Sequence, residues 1–493
     1  MARTNSETGT ENPVLLGDHP DPTIIRVGHT YWTTSTSGDW APEFPLYRST
    51  DLHHWTSVGA VFPRTPSWAK GDFWAPELVY DRGHVLLYYV ARKRDGPLCV
   101  AAATAAQPEG PYEDKGPLLC QPDGSIDPSF VRDEKGVPYL IWKEDANSIG
   151  KPTPIFAQPL ADDLLHLTGV KVELIRNDPA SWEGGVVEGP YILHHAGRFY
   201  LFYAGNACCG NDCRYAEGVA RSNTLLGPWE KDPANPIIVP NGVWKCPGHG
   251  TAVEDAAGHT YLIYHAYPAV GTIYLGRESL LDRVEWDPNG WPVVNKGLGP
   301  SGNPSGLAES KRTSFADSFT EHQLDPGWRW PINRDPVFVV GAKHLQVHAS
   351  GEGTPVFLAR SLASPAFVST LAVDASTAAG GLVIIGGVRT QLTLLRTGAQ
   401  LRLVREVNGQ KAELWTGETH PFGLIWLRVA TTGDASVLFS YSNDGVSWTS
   451  IPKPVSIAHF PPWDQGLRIG VAVHGAPGTE AGFKYFTLTA DKK

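Results

Sequence analysis

Among 493 residues there is a single methionine, and charged side chains make up only 19% of the chain. What charge there is leans acidic, at −10 formal, with no run of lysines or arginines longer than the three of Arg92-Lys93-Arg94. A nucleic-acid partner needs a basic face to neutralise phosphates, and a membrane surface needs a basic amphipathic stretch. The sequence has neither, so neither partner is expected. Also missing is any run of roughly 18 apolar residues, the length of a transmembrane helix. The opening stretch, Met1 to Asn12, is polar and lacks the apolar core of a secretion leader. Cysteine is scarce, six in all, with three crowded into Cys208, Cys209 and Cys213. The two-residue spacing of a zinc knuckle is absent, so disulfides are the favoured reading. Disulfides belong to an oxidising compartment. The expected location is therefore secreted or periplasmic with a leader removed, a cytoplasmic one being the alternative. The pairing stays open. Cys213 or Cys209 with Cys246 is the more ordinary arrangement, and a bond between adjacent Cys208 and Cys209 the less ordinary one.

What the chain has in quantity is glycine (52), proline (41) and aromatics, 17 each of Trp, Tyr and Phe. That mixture favours many short strands joined by turns. Five segments share one plan, a short start, an apolar strand, a turn and an aromatic-rich second strand. They begin at Asp21, Ala75, Asp127, Glu188 and His249, separated by 54, 52, 61 and 61 residues. A third strand follows each hairpin, often with a turn such as Asp51-Leu52-His53-His54-Trp55 or Gly227-Pro228-Trp229. Alternating apolar residues between Gly, Asp and Asn turns are β-hairpins. Four-stranded sheets repeated five times describe a five-bladed β-propeller. The innermost strands of a propeller line its channel, so equivalent positions at their starts converge on one axis. Three acids and a histidine would then meet in one funnel. Asp-Pro is a common turn opener, which accounts for any one of them but poorly for three at one repeat position.

The propeller is expected over residues 12–295. Residues 296–312 are Gly, Pro and Ser rich without periodicity and read as a linker. From 313 to 493 about ten short strands alternate with turns, which suggests a β-sandwich, including a hairpin turn at Asp444-Gly445. The fold class is all-β throughout.

The motifs Asn12-Pro13-Val14-Leu15, His19-Pro20-Asp21-Pro22, Phe73-Trp74-Ala75-Pro76-Glu77, Ser125-Ile126-Asp127-Pro128-Ser129, Glu188-Gly189-Pro190 and Gly276-Arg277-Glu278 together resemble glycoside hydrolase family 43. The second part, opening with Phe315-Ala316-Asp317-Ser318-Phe319, resembles the concanavalin-like sandwich of the family's β-xylosidases. The resemblance implies an inverting, exo-acting hydrolase with Asp21 as general base, Glu188 as general acid and Asp127 as the carboxylate that tunes and orients the acid. It implies that Arg277 contacts sugar and carboxylates, and that Trp40 and Trp74 lie near substrate. It also implies that His249 lines the channel beside a calcium ion or water; calcium would be structural, and the chemistry calls for no cofactor. Trp182 and Trp244, in loops before Glu188 and His249, are candidates to stack on sugar faces, with ordinary packing as the alternative. Glu183 reads as a solvated loop charge. Gly38, where related β-xylosidases carry a larger side chain, and the Cys208–Cys213 loop depart from the family and leave the sugar open.

An inverting enzyme needs carboxyls about 6.5–9.5 Å apart, one protonating the leaving oxygen and the other activating water. Glu188 is expected to be raised by repulsion from an ionised Asp127, and Arg277 to hold Asp21 or Asp127 ionised. The expected substrate is an oligosaccharide or polysaccharide side chain bearing terminal α-L-arabinofuranosyl or β-D-xylosyl units. Galactofuranose is the alternative sugar. A propeller that binds carbohydrate without cleaving it, and a retaining fructoside-acting enzyme, are the alternative functions.

Overall fold

The structure, a computed structural model, describes residues 12–269, 273–302, 314–374, 376–433 and 435–490. Among these the only helices are three single-turn 3-10 segments, and none is long and apolar enough to cross a membrane. The chain divides into two units: residues 12–269 with 277–302, and residues 273–276 with 314–490.

The first unit holds five four-stranded antiparallel sheets, each laid down in sequence order. Their inner strands are Thr23–Val27, Ala69–Asp81, Ser125–Arg132, Val187–His195 and Trp244–Glu254. The alternation that wrote these strands puts one apolar face of each blade against the next. Val79, Leu86 and Tyr88 of blade two meet Leu140, Trp142 and Phe156 of blade three. Ile24 and Tyr31 of blade one meet Val253, Ile263 and Leu281 across the seam with blade five. The predicted five-bladed propeller is present.

One detail of the repeat is corrected. In blades two to five the inner strand advances three residues while its partner advances two, from Trp74 to Glu77, Ile126 to Ser129, Glu188 to Tyr191 and Gly248 to Thr251. Blade one does the same, since the Thr36 amide bonds Pro20 O and Thr23 pairs with Thr34. Each step is a bulge with one extra residue. That residue is left-handed in all five blades: Asp21 (φ 51°), Ala75 (39°), Asp127 (54°), Gly189 (59°) and His249 (58°). The position equivalent to Asp21 and Asp127 in blade four is therefore Gly189. Glu188 stands one residue earlier, in the place of Pro20, Trp74, Ile126 and Gly248. A one-residue offset turns a side chain to the other side of its strand, so Glu188 approaches the hub from a different direction than the two aspartates.

The second unit is a sandwich. A six-stranded sheet runs in the order Gly351–Ser361, Arg468–Gly475, Ala379–Gly387, Thr390–Thr397, Gln400–Val407 and Gln410–Glu418. A larger sheet is centred on Glu480–Ala490 and Phe367–Val373, and Leu358, Leu382, Leu394, Leu427, Phe439 and Phe486 fill the space between them. Tyr274 and Leu275 join this core, so the second unit draws on a segment that the sequence reading had left inside 12–295. The Asp444-Gly445 turn forms, with Asp444 Oδ1 accepting from the amides of Val446 and Ser447.

Within the stretch expected as linker, 296–312, Pro300 O accepts from Asn241 Nδ2 at 2.9 Å and the Ser301 amide donates to Asp282 Oδ2 at 3.1 Å, so these two residues are bonded to the first unit. Residues 303–312 lie outside the described residues. All six cysteines are paired, as Cys99–Cys120, Cys208–Cys209 and Cys213–Cys246. The two arrangements weighed as alternatives thus occur together.

Candidate active site

The five bulges bring Asp21 and Asp127 to the hub with His249, and the residue before Gly189 brings Glu188. Asp21 is buried, with Oδ1 accepting from Arg277 Nη1 at 2.9 Å and Oδ2 from Thr36 Oγ1 at 2.7 Å. Its amide donates to His265 Nδ1 at 3.1 Å, and His249 Nδ1 lies 3.6 Å from Oδ1. Burial alone would push this carboxyl up. The Arg277 charge, bonded to Oδ1, outweighs burial and holds Asp21 well below the usual carboxylate range. Burial and the Arg277 charge push His265 down to about 4, which keeps the imidazole neutral and able to accept the Asp21 amide.

Asp127 and Glu188 form the opposite environment. Asp127 Oδ2 accepts from the Gly189 amide at 2.8 Å, and burial pushes its carboxyl up to about 6, His249 opposing and Glu188 reinforcing. Glu188 is also penalised by burial, but the Lys143 ammonium, 2.7 Å from Oε2, reverses the effect and holds Glu188 below the usual range. The Tyr215 phenol also bonds the Glu188 carboxyl. The expectation that an ionised Asp127 raises Glu188 is therefore corrected, because a buried cation that the motifs do not contain stands on the Glu188 side. Of the two carboxyls, Asp127 thus holds a proton more tightly than Glu188.

The remaining sequence candidates divide. Arg277 is at the site, as expected. Trp74 is half-buried against Ala75, Val90, Leu98 and Ile126, in the place that Glu188 takes in blade four. Trp40 is buried, beside the Ser37–Gly38 turn whose backbone pairs with Phe73, the neighbour of Trp74. Of the two roles open to Trp244 and Trp182, the packing around each favours the structural one. Trp244 is fully buried between blades four and five and donates its indole N–H to Ser301 O at 2.9 Å. The Trp182 ring fills a slot over Gly205 and Gly218, where a Cβ at either would fall 2.7 and 2.4 Å from the indole. Glu183 is not a solvated charge. It is buried, accepting from the Tyr203 hydroxyl at 2.7 Å and from the Asp178 amide at 2.6 Å, and pairing with Lys231.

Calcium takes six to eight oxygen ligands. Among the described residues no three His, Cys, Asp or Glu side chains are arranged to hold a metal, and His249 brings a single imidazole nitrogen. These side chains do not make a calcium cage.

Motif reading missed Thr36, Lys143, Tyr215 and His265. Three of them occupy one place in the repeat. Opposite the bulge on each second strand stand Thr36, Val90, Lys143, Ala204 and His265. A second column read through the repeat shows Lys143 and His265 interrupting apolar strands, with Thr36 in the hydroxyl run Thr33-Thr34-Ser35-Thr36-Ser37.

A five-bladed ring with paired carboxylates at its hub and a sandwich behind it in the chain defines a class of carbohydrate-active proteins. Residues 10–292 match glycosyl hydrolases family 43, and residues 316–489 match the beta xylosidase C-terminal concanavalin A-like domain. The chain belongs to glycosyl hydrolases family 43. It is 30% identical over 308 residues to a xylosidase/arabinosidase of Butyrivibrio fibrisolvens, covering 58% of this chain and 57% of that protein. It is 28% identical over 298 residues to the non-reducing end alpha-L-arabinofuranosidase BoGH43B of Bacteroides ovatus, covering 58% and 53%. The matched stretch thus spans little more than half the length of these relatives. Among solved structures, a xylan beta-1,4-xylosidase from Bacillus halodurans C-125 shares the fold at TM-score 0.80 and 22% identity, covering 97% of this chain and all of that one.

Proposed function

We propose that this protein is an inverting, exo-acting glycoside hydrolase that releases terminal α-L-arabinofuranosyl or β-D-xylosyl residues from oligosaccharides or polysaccharide side chains. Asp21 is the general base, Glu188 the general acid and Asp127 the carboxyl that shares its proton. The observation that carries this reading is the split environment of the acids. Arg277 keeps Asp21 ionised, while Asp127 and Glu188 on other blades retain a proton between them. A pair of carboxyls driven apart in this way is what acid–base catalysis requires.

In the step proposed, Asp21 takes a proton from water as the water oxygen bonds the anomeric carbon. The bond from that carbon to the leaving oxygen breaks, and Glu188, having taken over the pair's proton from Asp127, delivers it to that oxygen. One proton is gained by the base and one lost by the acid, which returns the site to balance after exchange with solvent. Trp74, half exposed at the hub, offers a ring face for the sugar. The sugar assignment is supported by relatives named as xylosidases and arabinofuranosidases. A relative named beta-D-galactofuranosidase, from Aspergillus niger at 24% identity, supports galactofuranose as the second reading. Three disulfides support a location outside the reducing cytoplasm.

The decisive measurement is NMR of the first-formed anomer on aryl α-L-arabinofuranoside, β-D-xyloside and β-D-galactofuranoside. Inversion is expected, on one of the first two; retention sinks the mechanism. Glu188→Gln is expected to lose far more activity on poor leaving groups than on activated aryl glycosides. Equal loss on both removes Glu188 as the acid.

A further inference from the structure

Lys143 ends the second strand of blade three (Pro138–Glu144) opposite Ile126, and its side chain is 1% exposed. The residues before it, Tyr139, Leu140, Ile141 and Trp142, are buried and apolar. Packing there asks for another apolar side chain. A buried ammonium loses several kcal/mol of hydration unless it is well paired. Lys143 is paired twice, to Glu188 Oε2 at 2.7 Å and to Asp145 Oδ1 at 3.1 Å. The cost is met by contacts with one residue of the proposed acid–base set and one loop acid.

We propose that Lys143 is a positioning residue for the proton donor. Its ammonium fixes the Glu188 carboxyl by a charge-assisted hydrogen bond and stabilises the carboxylate left after the proton has gone to the leaving oxygen. This assignment rests on Glu188 being the acid. The groups around the pair are Asp127 from the inner strand of blade three, Asp145 from the following loop, the Tyr215 phenol and the His249 imidazole. Of these contacts, the Lys143 ammonium is the cation bonded directly to the carboxyl. Its consequence is a stronger acid: the proton leaves Glu188 more readily for a poor leaving group, and the Asp127–Glu188 pair loses its proton at lower pH than it would without the charge.

Two signatures follow that a merely structural lysine would not give. In Lys143→Met, the alkaline limb of the kcat/KM profile is expected to move up by roughly one pH unit or more, the scale of an opposite charge removed at contact distance. At the same time kcat on oligosaccharides should fall at least several-fold relative to kcat on an activated aryl glycoside. Lys143→Arg, which keeps the charge, should return the limb towards wild type. Asp145→Asn, at a partly exposed loop position, leaves more of the ammonium's charge to Glu188 and should move the limb the opposite way; it serves if the Met variant fails to fold. A limb that stays put in these variants overturns the role of Lys143, provided Glu188→Gln still discriminates between leaving groups. If Glu188→Gln does not discriminate, the acid assignment fails and the Lys143 role falls with it.

Discussion

Two cations divide the work of three carboxyls at the hub. Arg277 bonds Asp21 and leaves it charged, while Lys143 bonds Glu188 and leaves Asp127 as the place where the shared proton rests. The pH dependence follows from that arrangement. Asp21 stays ionised far into acid, so the acidic limb of kcat/KM should lie well below the usual carboxylate range. The pair keeps its one proton until the pH rises through about 6, where burial has placed Asp127, so activity should decline above that point. In Asp127→Asn the proton has only Glu188 to rest on, held low by Lys143, and the alkaline limb should shift to lower pH. A profile unchanged from wild type would show that Asp127 does not share the titrating proton. The aspartates, Glu188 and Arg277 were legible as motif residues. Thr36, Lys143 and His265 were not: Lys143 and His265 each sit singly in an apolar strand, Thr36 is one of a run of hydroxyl residues, and all three acquire their meaning only from what stands across the bulge.

At the level of the strand, the bulge is what makes a blade into part of a site. An extra residue in the left-handed region costs on the order of 1–3 kcal/mol for most side chains, yet Asp21, Ala75, Asp127 and His249 all adopt it. Blade four uses glycine there, and space gives a second reason beyond φ. A Cβ on Gly189 would sit 3.0 Å from Cγ and Nδ1 of His249, while the Gly189 amide must remain on Asp127. Gly189→Ala is therefore expected to displace Glu188, Asp127 and His249 together. Its melting temperature should fall by a few degrees, as for about 1–2 kcal/mol of backbone strain, and kcat by a larger factor than that strain alone implies. A variant that is destabilised but fully active would separate the bulge from catalysis. The strand pattern was readable from alternation, and even the repeat lengths were. The one-residue offset of Glu188 was not, because Asp-Pro and Glu-Gly-Pro align by eye when the carboxyls are matched, whereas the backbone aligns glycine with aspartate. The alternatives for Trp182 and Trp244 stayed open in the sequence for a related reason. Position before an inner strand says that a ring is near the hub, while the two glycines under Trp182 and the Ser301 carbonyl that accepts from Trp244 are visible only in three dimensions.

At the level of the first unit, the ring must close, and it closes next to Asp21. Residues 12–19 run beside the third strand of blade five, Glu278–Trp286. The amides of Val14 and Leu15 donate to Ser279 O, and the His19 amide donates to Arg277 O at 2.8 Å. Asn12, buried, pins the far end: Nδ2 donates to Leu281 O at 3.1 Å and to Ser301 Oγ at 2.8 Å, and Oδ1 accepts from the Leu281 amide at 2.8 Å. The stretch that seals blade five to blade one is thus bonded at one end to the Arg277 backbone, with Asp21 two residues past His19. Closure and the ionisation of Asp21 are linked through that bond. Asn12→Ala leaves three hydrogen-bonding groups of the seam without their partner, and a buried group so abandoned costs about 1–3 kcal/mol. The first unit should lose stability on that scale. Hydrogen exchange should rise at the Val14, Leu15 and Leu281 amides before it rises in the middle strands of blades two and three. If the seam bears on Arg277 as the bonds imply, kcat/KM near neutrality should fall in proportion to that local opening and recover at lower temperature. Uniform exchange across all five blades, with activity lost only at global unfolding, would instead mean that the ring opens as one piece and that the seam holds no separate control over Asp21.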